Sequence, residues 1–266
     1  MTADPIGFIP VDLGQGVTAG FTLRRGGLSL PPWDELNLGV NVADDAAHVA
    51  ANRHLAAGLL GAPVAFSTQV HGSDVYVLTA ADAAQWGSLT PPESVGQADA
   101  MLAAADRLDE HPIGLGVLVA DCVPVLFADA EAGVVAVAHA GRQGVLLNVV
   151  AATVAAIESA GGACSNLRAA VGPAVCGRCY EVPSDMQAQV VAAVPEAAAS
   201  TRQGTSSLDL PAAVIAQLHL CGITDVQHVD CCTMEDDRFF SHRRASRRGT
   251  TTGRQAGLVA MNGAAL

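Results

Sequence analysis

The sequence contains no lysine. All 14 of its cationic residues are arginine, set against 26 Asp and Glu, so the 266 residues carry a formal net charge of −12. Without a side-chain amine, Schiff-base chemistry and the lysine-dependent P-loop phosphate cradle are both excluded. A pI near 4.9 argues against a surface for nucleic acid or anionic membrane. Aromatics make up only 4% of residues while half are hydrophobic, so the core must be built largely from Ala, Val and Leu. No stretch reaches the roughly 18 uninterrupted apolar residues of a membrane span. The longest apolar region, Ile113 to Ala128, is broken by Asp121. Met1 to Pro10 lacks the basic start and apolar stretch of a signal peptide. The expectation is a soluble cytoplasmic protein. Seven cysteines in a chain this long do not resemble a secreted disulfide scaffold, so reduced thiols are the default.

No internal repeat and no Ser/Gly or Pro linker divides the chain. The loosest segments, Leu89 to Gln97 and Ala197 to Ser207, are too short to force a boundary, so residues 1–266 read as one domain. Thr18–Leu23, Ala65–Gln69 and Asp74–Thr79 have the β-branched and apolar character of strands between turn residues. Gly114–Val119, Pro124–Ala128 and Val134–His139 read as buried strands. From Gly144 to Ala160 apolar residues recur at helical spacing, and Gly161-Gly162 supplies a stop. Pro183–Val194 and Leu210–Leu220 are further helices. Strands and helices without regular βαβ alternation, and with no GxGxxG fingerprint, predict an α+β layered fold with mixed sheets.

Three residues stand at the ends of strand-like runs, each followed by turn residues: His71, Cys122 and His139. Polar groups there are costly unless satisfied, and loops on a rigid sheet are where sites are built. Two imidazoles and a thiolate suit Zn²⁺, and three protein ligands leave the fourth tetrahedral position open, as in catalytic zinc sites. Cys122 lies 51 residues after His71 and 17 before His139, which matches no local metal motif. Taken singly, the favoured reading of each histidine is a strand cap, and of Cys122 a small buried hydrophobe. Cys176-Gly-Arg-Cys179 with Cys231-Cys232 offers a rival set of thiolates, but the usual second CxxC is missing, and buried or turn thiols are the simpler reading. In so acidic a chain the arginine clusters are informative, because an Arg fork clamps phosphate or carboxylate. Arg24 and Arg243 stand out beside turn or buried-anchor residues, whereas for Arg247 and Arg248 a solvated pair and an anion clamp are equally good readings. Asp121, alone in an apolar run, either caps backbone N–H groups or supports its neighbour Cys122.

An ordered set of motifs runs from about residue 18 to 260. It comprises Arg24-Arg-Gly-Gly-Leu-Ser29, Leu36-Asn-Leu-Gly39, His48-Val-Ala-Ala-Asn-Arg53, Gln69-Val-His-Gly72 and Ala98-Asp-Ala100. It continues with Ala120-Asp-Cys-Val-Pro-Val-Leu-Phe127, His139-Ala-Gly141, Val171-Gly-Pro-Ala174, Cys179-Tyr-Glu-Val182, Phe239-Phe-Ser241, Arg243-Arg244 and Thr251-Thr-Gly-Arg-Gln255. This set resembles the laccase-domain family of multicopper polyphenol oxidase type, the bacterial YfiH and YlmD kind, described as purine nucleoside phosphorylases. The resemblance implies an α/β/β/α sandwich and a zinc ion on His71, Cys122 and His139, which would be the catalytic and metal-binding residues. It implies phosphorolysis of adenosine, inosine and S-methyl-5′-thioadenosine, with adenosine deamination as a second reaction, in a monomer or homodimer. Arg24, Arg243 and Asp121 would be the substrate and phosphate contacts. The family continues His-Ala-Gly with Trp-Arg-Gly, where this chain has Arg142-Gln143-Gly144. Three alternatives stand beside this reading: a Cu²⁺-dependent polyphenol oxidase, a cell-wall precursor editing enzyme, and a metal-stabilised interaction module without turnover. The copper reading draws on His₂Cys as a blue-copper ligand set, but a multicopper oxidase also needs a histidine-rich trinuclear centre, and the chain has 8 histidines in all.

Overall fold

The structure is a computed structural model that describes residues 7–88, 91–108 and 112–262. Residues 1–6, where no signal peptide is expected, and residues 89–90 of the loose segment therefore lie outside the described residues. The chain opens with β1 (Phe8–Val11) and β2 (Val17–Thr22), then α1 (Ala46–Leu60) and β3 (Val64–Phe66). Next come β4 (Val75–Val77), α2 (Ala80–Trp86) and β5 (Ala100–Ala104). Three consecutive strands form the centre, β6 (Gly114–Val119), β7 (Val123–Asp129) and β8 (Val134–Ala140), followed by α3 (Arg142–Leu146) and α4 (Val149–Ser159). After β9 (Arg168–Val171) and α5 (Ser184–Ala193) stand the hairpin β10 (Ala198–Ser200) and β11 (Ser206–Leu208), then α6 (Leu210–Leu220). The chain closes with β12 (Asp225–His228), α7 (His242–Arg247) and β13 (Gln255–Met261).

Two mixed sheets result, one ordered β1-β2-β13-β6-β3 and the other β12-β9-β7-β8-β5-β4. Strands β7 and β8 are buried along their whole length on both faces, which is why their sequences show no polar alternation. The two-residue period still sorts their side chains. Val125, Phe127, Ala136 and Ala138 face a cluster completed by α3, α4, α5 and α6. Leu126, Ala128, Val135 and Val137 face the other way, against Phe21, Leu115, Val117 and Leu258 of the five-stranded sheet. The architecture is the predicted α/β/β/α sandwich.

Two elements differ from the sequence expectation. The single helix expected over 144–160 is two helices, because Asn148 turns left-handed (φ 56°) and its side chain accepts from the Ala151 N–H at 3.2 Å, starting a new helix. The five-stranded sheet is centred on β13, a strand of Ala, Gly and Leu that offers little β-branched signal. Its Gly257 is packed against the Phe21 ring, where a Cβ would approach to 3.1 Å.

Three connections cross from one sheet to the other at the same end of the sandwich. They run from β3 to β4, from β6 to β7, and from β12 to β13, and they arrive where β8 ends and β5 begins. Side chains on these crossings are gathered at the rim of the inter-sheet layer.

Candidate metal centre

His71 lies on the first crossing, Cys122 on the second, and His139 at the end of β8, on the same face as Val135 and Val137. The structure brings these three predicted residues together: one ligand atom of each lies within 4.8 Å of the other two. Cys122 Sγ is 3.9 Å from His71 Nε2, and the two imidazole rings meet edge to face at 4.7 Å between centroids. Both crossings are tight, with left-handed backbone at His71 (φ 62°) and at Asp121 (φ 89°). Such conformations are uncommon outside glycine and are held only by surrounding structure.

At His71 that support comes from Asp99. The Ala100–Ala138 pair of the β5–β8 ladder continues by one residue, His139 N–H donating to the Asp99 carbonyl at 2.7 Å. Opposite residues on one face interact, and the Asp99 carboxylate meets His139 Nδ1 at 2.8 Å. The same carboxylate accepts from the backbone N–H groups of Val70, His71 and Gly72 at 3.1, 2.9 and 2.6 Å. One buried side chain therefore fixes both the His139 ring and the backbone that carries His71. Because a carboxylate only accepts, the His139 proton sits on Nδ1, and Nε2 faces the cluster. Asp99 was quoted from sequence only inside the motif Ala98-Asp-Ala100; its signal is a lone acid immediately before a strand of small residues.

The electrostatics are those of a thiolate among imidazoles. Burial pushes the Cys122 thiol up, but the charges of His139 and His71 outweigh it and bring it below the ordinary thiol range. Burial pulls His139 down, but Cys122 and Asp99 outweigh that and raise it. Burial likewise favours protonation of Asp99, and its bonds to His139 and to the Gly72 and Val70 N–H groups reverse the effect. Gly141 closes the cluster from behind. A Cβ there would sit 2.8 Å from the His71 ring and 3.1 Å from Cys122 Sγ, so the glycine of His139-Ala-Gly141 is required by close approach.

A cavity of about 370 Å³ opens on the cluster, lined by His71, Cys122 and His139 together with Gln69, His242 and Arg254. Its size falls in the range of small-molecule sites. The donor set fits a metal: two imidazoles and a low-lying thiolate converge from rigid elements, and three protein ligands leave a fourth position toward the cavity. Cys122, His71 and His139 are the residues that would hold it.

The other sequence candidates sit elsewhere. Asp121 turns away from the cluster and accepts from the Thr233 hydroxyl and the Arg243 backbone N–H, both at 2.6 Å, so it ties the second crossing to α7. The position behind the His139 imidazole belongs to Asp99. Arg24 binds the Asp34 carbonyl and carboxylate at 2.7 and 2.8 Å and lies over the Phe240 ring, outside the cavity lining. Arg243 donates to the Glu181 carbonyl at 2.8 Å and stacks on Tyr180. The cavity arginines are Arg53 and Arg254, neither singled out from sequence. Arg254 donates to the Thr252 and Gly253 carbonyls, and its burial lowers it from the ordinary guanidinium value, partly offset by Cys122 and Asp121. Arg142 opens α3 with Nη1 at 3.4 Å from the Gln143 side chain.

Fold and cluster together define a two-sheet sandwich with an open His₂Cys centre at its rim. The chain belongs to the family described as multi-copper polyphenol oxidoreductase laccase, whose model matches residues 18–262. It is 47% identical over 251 residues to the purine nucleoside phosphorylase SCO2081 of Streptomyces coelicolor, covering 93% of this chain and 97% of that one. It is 34% identical over 250 residues to the purine nucleoside phosphorylase YfiH of Escherichia coli, covering 92% and 94%. Among solved structures it is similar to the hypothetical protein YfiH of Bacillus licheniformis, with TM-score 0.84 and 29% identity over 98% of each chain.

Proposed function

We propose that this chain is a zinc-dependent purine nucleoside phosphorylase acting on adenosine, inosine and S-methyl-5′-thioadenosine, and that the same site deaminates adenosine. The observation that carries the reading is the convergence of His71, Cys122 and His139 on a cavity of about 370 Å³. The names of relatives matched over more than nine tenths of their length support it. His71, Cys122 and His139 would hold the zinc, and the chemistry it would supply there is Lewis-acid polarisation.

The chain's own residues do the rest. In phosphorolysis a phosphate oxygen bonds to ribose C1′ as the bond from C1′ to the purine nitrogen breaks, and the departing base takes a proton. Phosphate needs a local cation in a chain of net charge −12, and with no lysine that cation is an arginine. Arg53 and Arg254 line the cavity, so these two are the first anion partners to test, ahead of Arg243, whose neighbour His242 lines it. Arg24, engaged with Asp34, instead braces the loop that packs on Phe240. In deamination the exocyclic amine leaves C6 as ammonia and water supplies the new oxygen.

Among the described residues no helix is long and apolar enough to cross a membrane. The copper-oxidase reading needs a second, histidine-rich centre. The one other candidate metal cluster among the described residues contains no histidine.

The deciding experiment incubates the protein with inosine, with and without phosphate, and follows hypoxanthine and ribose 1-phosphate. Phosphate-dependent release that Cys122→Ala abolishes in a folded protein supports the reading. No product from any nucleoside, or full turnover in Cys122→Ala, overturns it.

A further inference from the structure

Strands β9 and β12 are parallel neighbours, and the loops that leave them run side by side past the end of the sheet. Ala174 N–H donates to the Cys231 carbonyl at 3.2 Å, and Thr233 N–H donates to the Ala174 carbonyl at 3.0 Å. This pairing sets Cys176 and Cys179 of the first loop against Cys232 and Glu235 of the second. One donor atom of each of the four lies within 4.8 Å of the other three. We propose that Cys176, Cys179, Cys232 and Glu235 form a second metal site, separate from the His71–Cys122–His139 cluster, that holds zinc as a structural clamp on the two loops.

Five points carry this. The donors are four, the number a closed tetrahedral zinc site needs, and thiolate and carboxylate are both ligand types that zinc takes. Zinc–sulfur bonds of about 2.3 Å place tetrahedral sulfurs about 3.8 Å apart, so the cluster needs only a small contraction. The segment Cys176-Gly-Arg-Cys179 is a turn, with the Cys179 and Tyr180 N–H groups donating to the Cys176 carbonyl at 2.9 and 3.1 Å, and it presents both thiols to one point. The Cys176 N–H donates to Cys232 Sγ at 3.4 Å, a bond that a metal-held thiolate accepts better than a thiol. Glu235 is already oriented, one carboxylate oxygen at 2.6 Å from Arg202, which leaves the other for the metal and adds a positive charge beside three thiolates.

The adjacent pair Cys231-Cys232 is split, as an extended segment requires. Cys232 joins the cluster, while Cys231 Sγ lies 3.9 Å from the Arg238 guanidinium. Burial and mutual proximity push the Cys176 and Cys179 thiols up, so without a cation they stay protonated. On binding, three S–H protons pass to solvent and three sulfur–zinc bonds form, with no change of oxidation state. The clamped loop carries Tyr180, on which Arg243 stacks at 5.0 Å and whose hydroxyl is pushed up by burial and by Cys122. The second site thus fixes one flank of the first without touching it.

The readout is metal content, so it stands apart from any question of substrate. Cys122→Ser removes the thiolate of the first site, and cobalt(II) substituted into the full chain in that background then reports on the second. The expected result is a strong near-ultraviolet cobalt–thiolate band, abolished when Cys176→Ser and Cys179→Ser are added. Elemental analysis of Cys176→Ser/Cys179→Ser should find one zinc per chain fewer than the wild type. Absence of the band in Cys122→Ser overturns the proposal whether or not the other variants fold. Unchanged zinc in the folded double variant overturns it too, as does a Cys176–Cys179 disulfide in freshly prepared protein.

Discussion

Asp99 and His139 are opposite residues on one antiparallel ladder, and their side chains meet at 2.8 Å on the face turned toward the second sheet. The same carboxylate holds the backbone of the His71 loop, so one buried acid sets the positions of two of the three proposed ligands. Asp99→Asn keeps the shape but lets the His139 proton move between ring nitrogens. Zinc affinity should fall about 10- to 100-fold, measured by competition with a chromogenic chelator. Unchanged affinity would show that the carboxylate does not set the ligand tautomer.

Gly141→Ala should be far more harmful to the cluster than to the fold. The added methyl would meet the His71 ring at 2.8 Å, and that ring is exposed enough to swing aside. Overpacking costs about 1–3 kcal/mol at most here, so the melting temperature should drop by only a few degrees. Metal content and turnover should collapse. A variant with wild-type metal content would refute the close approach as the reason for glycine.

Two thiols should titrate in opposite directions in metal-stripped protein. Burial opposes ionisation of Cys122, but His139 and His71 prevail and bring it down to about 6. Its thiolate is therefore present at neutral pH and is lost as pH falls through about 6. Burial and Glu158 raise Cys164 to about 11, so it remains a thiol until strongly alkaline pH. Iodoacetamide labelling followed by peptide mass spectrometry should find Cys122 modified with a rate that levels off near neutrality, while Cys164 stays nearly inert at pH 8. Equal rates at pH 7 would contradict both shifts.

Asn148 starts α4 from a left-handed conformation and caps it with its side chain. Asn148→Ala loses the cap and strains the backbone, and should cost about 1–2 kcal/mol. Asn148→Gly keeps the permitted φ and should cost only a few tenths more than nothing. Urea denaturation of the three proteins checks the order. Equal stability of the Ala and Gly variants would mean that the backbone conformation contributes nothing.

The parts legible in the sequence were those with a short-range signature. Buried strands β6, β7 and β8 announce themselves as apolar runs, and α6 falls on the residues expected from spacing, Leu210–Leu220. His71, Cys122 and His139 were visible as polar residues at strand ends, and their meeting point in space matches the ligand set the resemblance implied. What stayed hidden depends on pairing between distant segments. Helix α1 buries Val49, Asn52, Ala56 and Leu60 on one stripe, and the polar Asn52 breaks the apolar count. Its amide instead satisfies Ser29, Glu35 and Asn37 in the preceding loop. Asp99 acquires its role only through register with a strand 40 residues away, which no local pattern encodes. Arg254 reaches the cavity because β13 begins beside the end of β6, again a matter of pairing.

The three crossings give the sandwich a built-in gauge. His71 and Cys122 sit on spans anchored in both sheets, whereas His139 belongs to one sheet alone. Any slip of one sheet over the other changes the distances among the three donor atoms before it disturbs a single ladder hydrogen bond. A substitution deep in the layer, such as at Phe21 where Gly172 and Gly257 press on the ring, should therefore be felt first in the geometry of the three donors at the rim. Metal affinity at a cluster built this way would read out the alignment of the two sheets.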